Sequence, residues 1–369
     1  MSFLSIIERW HDFDFAGFFR TVDERAVARS LARQRLDETD LLTLLSPAAD
    51  PFLEEMAQRS HRLTLQHFGR TIQLFIPLYI SNFCTNGCTY CGFNHSMPIR
   101  RRRLSIAEID AEARAIAATG MQHILMLTGE APGITPMGYL REAVACLKEH
   151  FASVAIEIFP LDEDGYRQLR QCGADGMTLF QETYDREVYR RVHLAGRKTD
   201  YRWRLDAPER AACAGLRSVN IGPLLGLAEP RQDVFFTALH GRWLAGKYPG
   251  SEIAFSLPRF NRAGNGFQPA TRVDDRLFVQ CMTGLRLFLP QAGITMSTRE
   301  SAPFRDRLLF LGATRYSAFS KTGVGGYAEP EDEGGRQFET TDNRTVDEVA
   351  QAISACGCQP VFKDWDAIG

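Results

Sequence analysis

From residue 71 to residue 322 the chain repeats one pattern: a short apolar run of strand length, then a longer stretch with apolar residues at helical spacing. The predicted strands are Ile72–Ile80, His123–Thr128, Val154–Phe159, Gly176–Gln181, Ser218–Gly222, Glu252–Leu257, Gly293–Thr298 and Tyr316–Phe319. Predicted helices at Ile106–Thr119, Met137–His150, Glu163–Cys172, Tyr201–Ala214, Val234–Lys247 and Val273–Phe288 lie between them. Parallel neighbours need a long crossover, which a helix supplies. Eight strands alternating with helices point to a closed barrel and not an open sheet. The expected fold class is α/β, a (β/α)8 TIM-type barrel with a helical N-terminal extension and a short C-terminal extension.

Residues 1–70 precede the alternation and read as helical over Ser2–Phe19, Asp23–Arg35, Asp37–Leu45 and Pro51–Phe68, with Asp37 as an N-cap. Three parts follow: the helical extension 1–70, the barrel 71–322, and a C-terminal loop and closing segment 323–369. The last part holds a loop at Gly323–Gly335 and a closing helix at Thr345–Cys356.

In a parallel barrel the active site forms at the C-terminal ends of the strands. Cys84-Thr-Asn-Gly-Cys88-Thr-Tyr-Cys91 follows the first predicted strand at that end. Polar residues also close three other strands, at Thr128-Gly129-Glu130, Gln181-Glu182-Thr183 and Ser297-Thr298-Arg299-Glu300. The nine cysteines make no disulfide framework, because their number is odd and Cys146, Cys172, Cys213 and Cys281 are scattered. That usage fits a reducing cytoplasm, where clustered cysteines signal metal or catalysis. Three thiolates this close can hold a cubane iron–sulfur cluster and leave one iron open. Spacing alone leaves two other readings. His95 completes a Cys-x3-Cys-x2-Cys-x3-His pattern suited to tetrahedral zinc, and the three could be buried free thiols.

A net charge of −2 offers no electrostatic case for nucleic acid or an anionic membrane. The Arg100–Arg103 run reads as a solvated helix start or as a redox-partner or subunit contact. No apolar stretch approaches the roughly 20 residues of a membrane span, and Met1–Trp10 does not read as a signal peptide.

The spacing Cys84-x3-Cys88-x2-Cys91, with Tyr90 just before the third cysteine, resembles the signature of radical S-adenosylmethionine (SAM) enzymes. Other segments resemble the aromatic amino-acid lyases of that superfamily. They include Pro77-Leu78-Tyr79-Ile80-Ser81-Asn82, Tyr90-Cys91-Gly92-Phe93, Thr128-Gly129-Glu130, Tyr184 and Ser297-Thr298-Arg299-Glu300. Phe304-Arg305-Asp306-Arg307, Ser317-Ala318-Phe319-Ser320-Lys321-Thr322 and Pro360-Val361-Phe362-Lys363-Asp364-Trp365-Asp366 complete the set. Within that family the chain is most similar to the tyrosine lyases of bacterial thiamine biosynthesis, over nearly its whole length.

The resemblance implies one [4Fe-4S] cluster on Cys84, Cys88 and Cys91, with SAM on the open iron. It places Tyr90, Gly129, Glu130, Glu182 and Arg204 at the cofactor, with Arg202 an alternative to Arg204. It sets Arg299 on the tyrosine carboxylate, with Ser297 and Ser320 as hydrogen-bond donors; an ion pair between Arg299 and Glu300 is the alternative. The implied reaction breaks the Cα–Cβ bond of tyrosine to give 2-iminoacetate and p-cresol. The implied partners are a thiazole synthase that receives the water-labile product and a flavodoxin- or ferredoxin-like reductant. Another aromatic substrate such as tryptophan, or a non-catalytic zinc-binding barrel, stays open. The related lyases of hydrogenase maturation carry a C-terminal domain for a second cluster. Here only eleven residues follow Cys356-Gly-Cys358, so those two cysteines are expected to be structural or incidental. At Pro258-Arg259-Phe260-Asn261 the chain departs from the family's Leu-Arg-Pro, which leaves that loop without an inherited role.

Overall fold

In the computed structural model, which describes residues 2–330 and 335–366, eight parallel strands follow the predicted alternation. They are β1 (Thr71–Ser81), β2 (His123–Thr128), β3 (Ser153–Glu157), β4 (Ala174–Glu182), β5 (Ser218–Pro223), β6 (Glu252–Ser256), β7 (Gly293–Met296) and β8 (Arg315–Ser317). Each pairs with the next. β1 closes the ring by pairing with β2 (Leu78↔Met126) on one edge and with β8 (Leu74↔Tyr316) on the other. Strands covered on both faces read as nearly continuous apolar runs, and all six residues of β5 are buried. The crossover helices have defined starts. Ser105 and Glu108 form a reciprocal capping box before Ile106–Ala117, and Thr345 and Glu348 do the same before Val346–Ala355.

The helical predictions needed correction where a cap or a proline intervenes. Ser2–Phe19 is two helices, Phe3–Glu8 and Phe15–Thr21, because Asp14 accepts a bond from the Gly17 N–H (2.8 Å) and starts the second. Pro51 lies in a 3-10 turn, Pro47–Phe52, and regular helix begins only at Leu53. Tyr201–Ala214 divides at Asp206, with Pro208 in the first turn of the second piece. The last barrel strand stops at Ser317, because Phe319 takes a positive φ of 50°. Two short helices, Arg186–Val192 and Ala302–Leu308, and a ninth strand, β9 (Gln359–Val361), have no counterpart in the sequence reading. β9 pairs with the start of β1 (Ile72↔Pro360).

The N-terminal helices share one continuous core with the barrel; Phe3, for instance, stacks on His240 at 4.0 Å. Of the predicted loop Gly323–Gly335, residues 331–334 lie outside the described residues. Its first part is anchored where the Glu112 carboxylate accepts the backbone N–H groups of Tyr327 (2.7 Å) and Ala328 (3.1 Å). Cys356 and Cys358 are half-buried free thiols packed against the main core. No described helix is long and apolar enough to cross a membrane.

Candidate active site

The three cysteines occupy the loop that leaves β1 at the C-terminal rim. Backbone bonds shape this loop. Gly87 N–H donates to Ala195 (3.0 Å), Thr89 N–H to Val192 (2.9 Å) and Thr85 N–H to the Glu130 carbonyl (2.8 Å). Asn86 ties the elements together, donating to the Glu130 carboxylate (2.7 Å) and accepting from the Lys198 N–H (3.1 Å). The other Glu130 oxygen, Oε1, is buried with no partner among the described residues. Gly129 acts by leaving space: a Cβ there would stand 2.4 Å from the Phe83 carbonyl and 3.1 Å from the Cys84 Cβ. Its room is taken by the cysteine loop itself, so this glycine seats Cys84.

Burial pushes the Cys88 thiol up to about 12 and raises Cys91 as well, with the neighbouring thiols adding to the effect. Metal binding must therefore displace protons from these sulfurs. Cys91 Sγ accepts from the Phe93 N–H (3.4 Å) and the Gln337 amide (3.6 Å). Tyr90 points its hydroxyl at His193 Nε2 (2.9 Å), while His193 Nδ1 faces the Tyr189 carbonyl (2.8 Å). Burial, with Lys198 nearby, depresses His193 to about 3, so the ring is neutral. His95, the fourth ligand of a zinc site, instead engages the Asn86 carbonyl through Nδ1 (3.1 Å). Among the described residues no three His, Cys, Asp or Glu side chains are grouped tightly enough to share one ion. A cubane takes each thiolate on a separate iron, and more widely set sulfurs suit it.

Beside the loop stands a buried charge cluster. Glu182 pairs with Lys198 Nζ (2.6 Å) and Arg204 Nη2 (3.5 Å). Burial raises the Glu182 carboxyl, but the two cations outweigh it and hold the group below its usual range. Glu182 has φ +73°, and with Phe319 it is one of two non-glycine residues with positive φ among the described residues. Both sit at strand ends on the rim, where a strained conformation costs about 1–3 kcal/mol and commonly serves a site. Arg202 lies outside this cluster, exposed and paired with Asp206 (3.4 Å).

Two cavities meet here. One, of about 510 Å³, touches Tyr90, Cys91, Glu182 and Lys198. The other, of about 740 Å³, runs into the barrel and is lined by Ser297, Arg299 and Ser320, with Thr178, Asn220 and Ser256 deeper inside. Glu157, Phe180, Pro258, Arg299 and Phe338 border both. Arg299 stacks on Phe338 (3.3 Å) and has no ion pair among the described residues. Glu300 turns instead to Arg259 Nε (3.0 Å), and Arg259 also holds Asp275 (2.8 Å). The alternative pairing of Arg299 with Glu300 is thus replaced, and Arg259 acquires a structural role. The Ser320, Ser317 and Thr295 hydroxyls are buried without partners among the described residues.

Known proteins resemble this chain over nearly its whole length. Residues 78–238 match the radical SAM superfamily, and residues 256–359 match the biotin and thiamin synthesis associated domain. The 2-iminoacetate synthase of Escherichia coli (strain K12) is 42% identical over 366 residues, covering 98% of this chain and 96% of that one. The chain belongs to the 2-iminoacetate synthase family of radical SAM enzymes. The Salmonella typhimurium (strain LT2) member is 40% identical over the same shares of the two chains. Among solved structures, HydG, a maturase of the [FeFe]-hydrogenase, superposes with a TM-score of 0.88 at 28% identity. That match covers 96% of this chain and 80% of HydG. Enzymes of this family work with a [4Fe-4S] cluster and SAM, and the site fits both: three free cysteines on one loop, Cys88 buried and Cys84 and Cys91 half-buried, with a Glu130 Oε1 that has no partner among the described residues.

The structure gathers Tyr90, Cys91, Glu182 and Arg299 at the first cavity, and Ser297, Arg299 and Ser320 at the second. Arg204 reaches the site through Glu182, whereas Gly129 and Glu130 hold the cysteine loop. Sequence reasoning missed Glu157, Lys198, His193, Gln337 and Phe338. Glu157 ends a strand that carries no rim motif, and the other four lie in irregular segments or at a helix end, where no periodicity marks them.

Proposed function

We propose that this protein is a radical SAM lyase that cleaves the Cα–Cβ bond of L-tyrosine to 2-iminoacetate and p-cresol. The observation that carries the reading is the meeting of the cysteine-loop cavity with a barrel cavity whose arginine has no ion pair, and several of whose hydroxyls have no partner, among the described residues. Cys84, Cys88 and Cys91 would hold one [4Fe-4S] cluster, which with SAM would supply 5′-deoxyadenosyl radical chemistry for hydrogen abstraction at the substrate amino group.

The chain's own residues do the rest. Glu130 Oε1 offers an acceptor for the methionyl ammonium of SAM. Glu182, fixed between Lys198 and Arg204, presents an ionised carboxylate to the polar groups of the cofactor. Arg299 forks onto the tyrosine carboxylate, with Ser297 and Ser320 donating beside it. Phe338 stacks on Arg299 and Gln337 donates to Cys91 Sγ, so both line the cavity beside the cysteines. The product hydrolyses in water, so a thiazole synthase is the partner that receives it, in a reducing cytoplasm with a flavodoxin- or ferredoxin-like electron donor.

The test is anaerobic incubation of the reconstituted protein with SAM, a reductant and tyrosine. Equal amounts of p-cresol and 5′-deoxyadenosine are expected. A colourless preparation with stoichiometric zinc, or no p-cresol from a fully loaded enzyme, would overturn the reading.

A further inference from the structure

An amino acid carries its ammonium and its carboxylate on one carbon, so a site that gives an arginine to the second needs an anion near the first. Three glutamates surround the paired cavities. Glu300 is committed to Arg259, and Glu182 to Lys198 and Arg204. The carboxylate of the third, Glu157, has no hydrogen bond or ion pair among the described residues. Glu157 ends β3 level with Leu127 of β2, and its half-buried side chain borders both cavities together with Arg299.

We propose that Glu157 receives the α-ammonium of the substrate, opposite Arg299, and so presents the nitrogen to the cysteine-side cavity. The inference rests on the reading of the barrel cavity as an amino-acid site. Its position suits the chemistry. The nitrogen must face the cofactor while the side chain lies in the barrel, and Glu157 stands where those two spaces join. Its surroundings agree. Burial first, and Glu182 second, push its carboxyl up to about 7, against Arg299, Arg204 and Lys198, which lower it. Tyr79 also neighbours it, with its hydroxyl occupied by Gln337 (2.7 Å), and Tyr90 and Cys91 border the cysteine-side cavity with it. A carboxylate whose charge is this poorly compensated gains most from an arriving cation.

The experiment compares two ligands on the reconstituted holoenzyme with SAM: tyrosine, and 3-(4-hydroxyphenyl)propanoate, which lacks only the ammonium. Wild type is expected to prefer tyrosine by roughly 10- to 100-fold, the range of a charge-assisted contact. Glu157→Gln should lose that preference through weaker tyrosine binding, with propanoate and SAM binding unchanged. Glu157→Asp, which keeps the charge, should retain part of it. A Glu157→Gln enzyme that still prefers tyrosine as wild type does, or that loses affinity for both ligands alike, overturns the proposal. So does a wild-type enzyme indifferent to the ammonium. If product analysis shows another aromatic amino acid as substrate, the tyrosine reading fails separately, and that amino acid with its deaminated counterpart decides the role of Glu157.

Discussion

On the cysteine side of the rim most polar groups already have partners, whereas on the β7–β8 side several do not. Asn86, Glu182, Lys198, Arg204, Tyr90 and His193 form one bonded assembly around the loop. Across the mouth, Arg299 has no anion, and the Ser320, Ser317 and Thr295 hydroxyls have no partner among the described residues. A buried polar group without a partner costs about 1–3 kcal/mol. The cofactor side is therefore held ready by the protein, and the substrate side is completed by what binds there. On the first side, loss of a paired charge should cost stability; on the second, loss of a free group should cost affinity.

Cys88→Ala gives the largest effect on the prepared side. Cluster loading and all 5′-deoxyadenosine formation should vanish while far-ultraviolet circular dichroism stays as in wild type. Glu182→Gln should come next, since it strands two buried cations and is expected to cost about 3–5 kcal/mol in denaturant melts. Arg299→Ala tests the other side: KM for tyrosine should rise roughly 100-fold. Its stability should fall far less than that of Glu182→Gln, because the Phe338 stacking is lost but no ion pair among the described residues is broken. A large stability loss in Arg299→Ala would erase the contrast.

Acid titration offers a finer probe. Burial holds His193 and His240 near 3, below the ordinary 6.5. Between those values the unfolded chain binds protons that the native state refuses. Stability should thus fall from pH 6.5 toward 3, by up to about 1.4 kcal/mol per pH unit for each histidine. His240→Gln should flatten the slope by one proton; an unchanged slope would show that the ring is not held neutral. The smallest effect is expected from Ser320→Ala, with a few-fold rise in KM and no loss of stability, because its hydroxyl has no partner among the described residues.

Much of this was legible in the residues. The strand–helix alternation placed all eight barrel strands, since inward and outward faces are both buried and the runs stay apolar. Caps and prolines moved helix ends, as at Asp14, Pro51 and Pro208, because one local hydrogen bond or a missing N–H decides there. The cysteine spacing and the rim motifs identified the site by type. Arg204, and not its neighbour Arg202, was legible only as a choice of two; helix phase buries the first and exposes the second. Lys198, His193, Gln337 and Phe338 carry no local signature, because their roles come from chain segments brought together across the rim.

By itself, then, the sequence determined the barrel, the three-cysteine loop and the family, because periodicity and short spacing are properties of neighbours along the chain. Only the tertiary structure decided which charges are spent on one another and which are left for a ligand. Glu300 went to Arg259 and Glu182 to Lys198, while Arg299 and Glu157 remained without ionic partners among the described residues. Pairing of that kind depends on distances across the barrel, which no spacing in the sequence records.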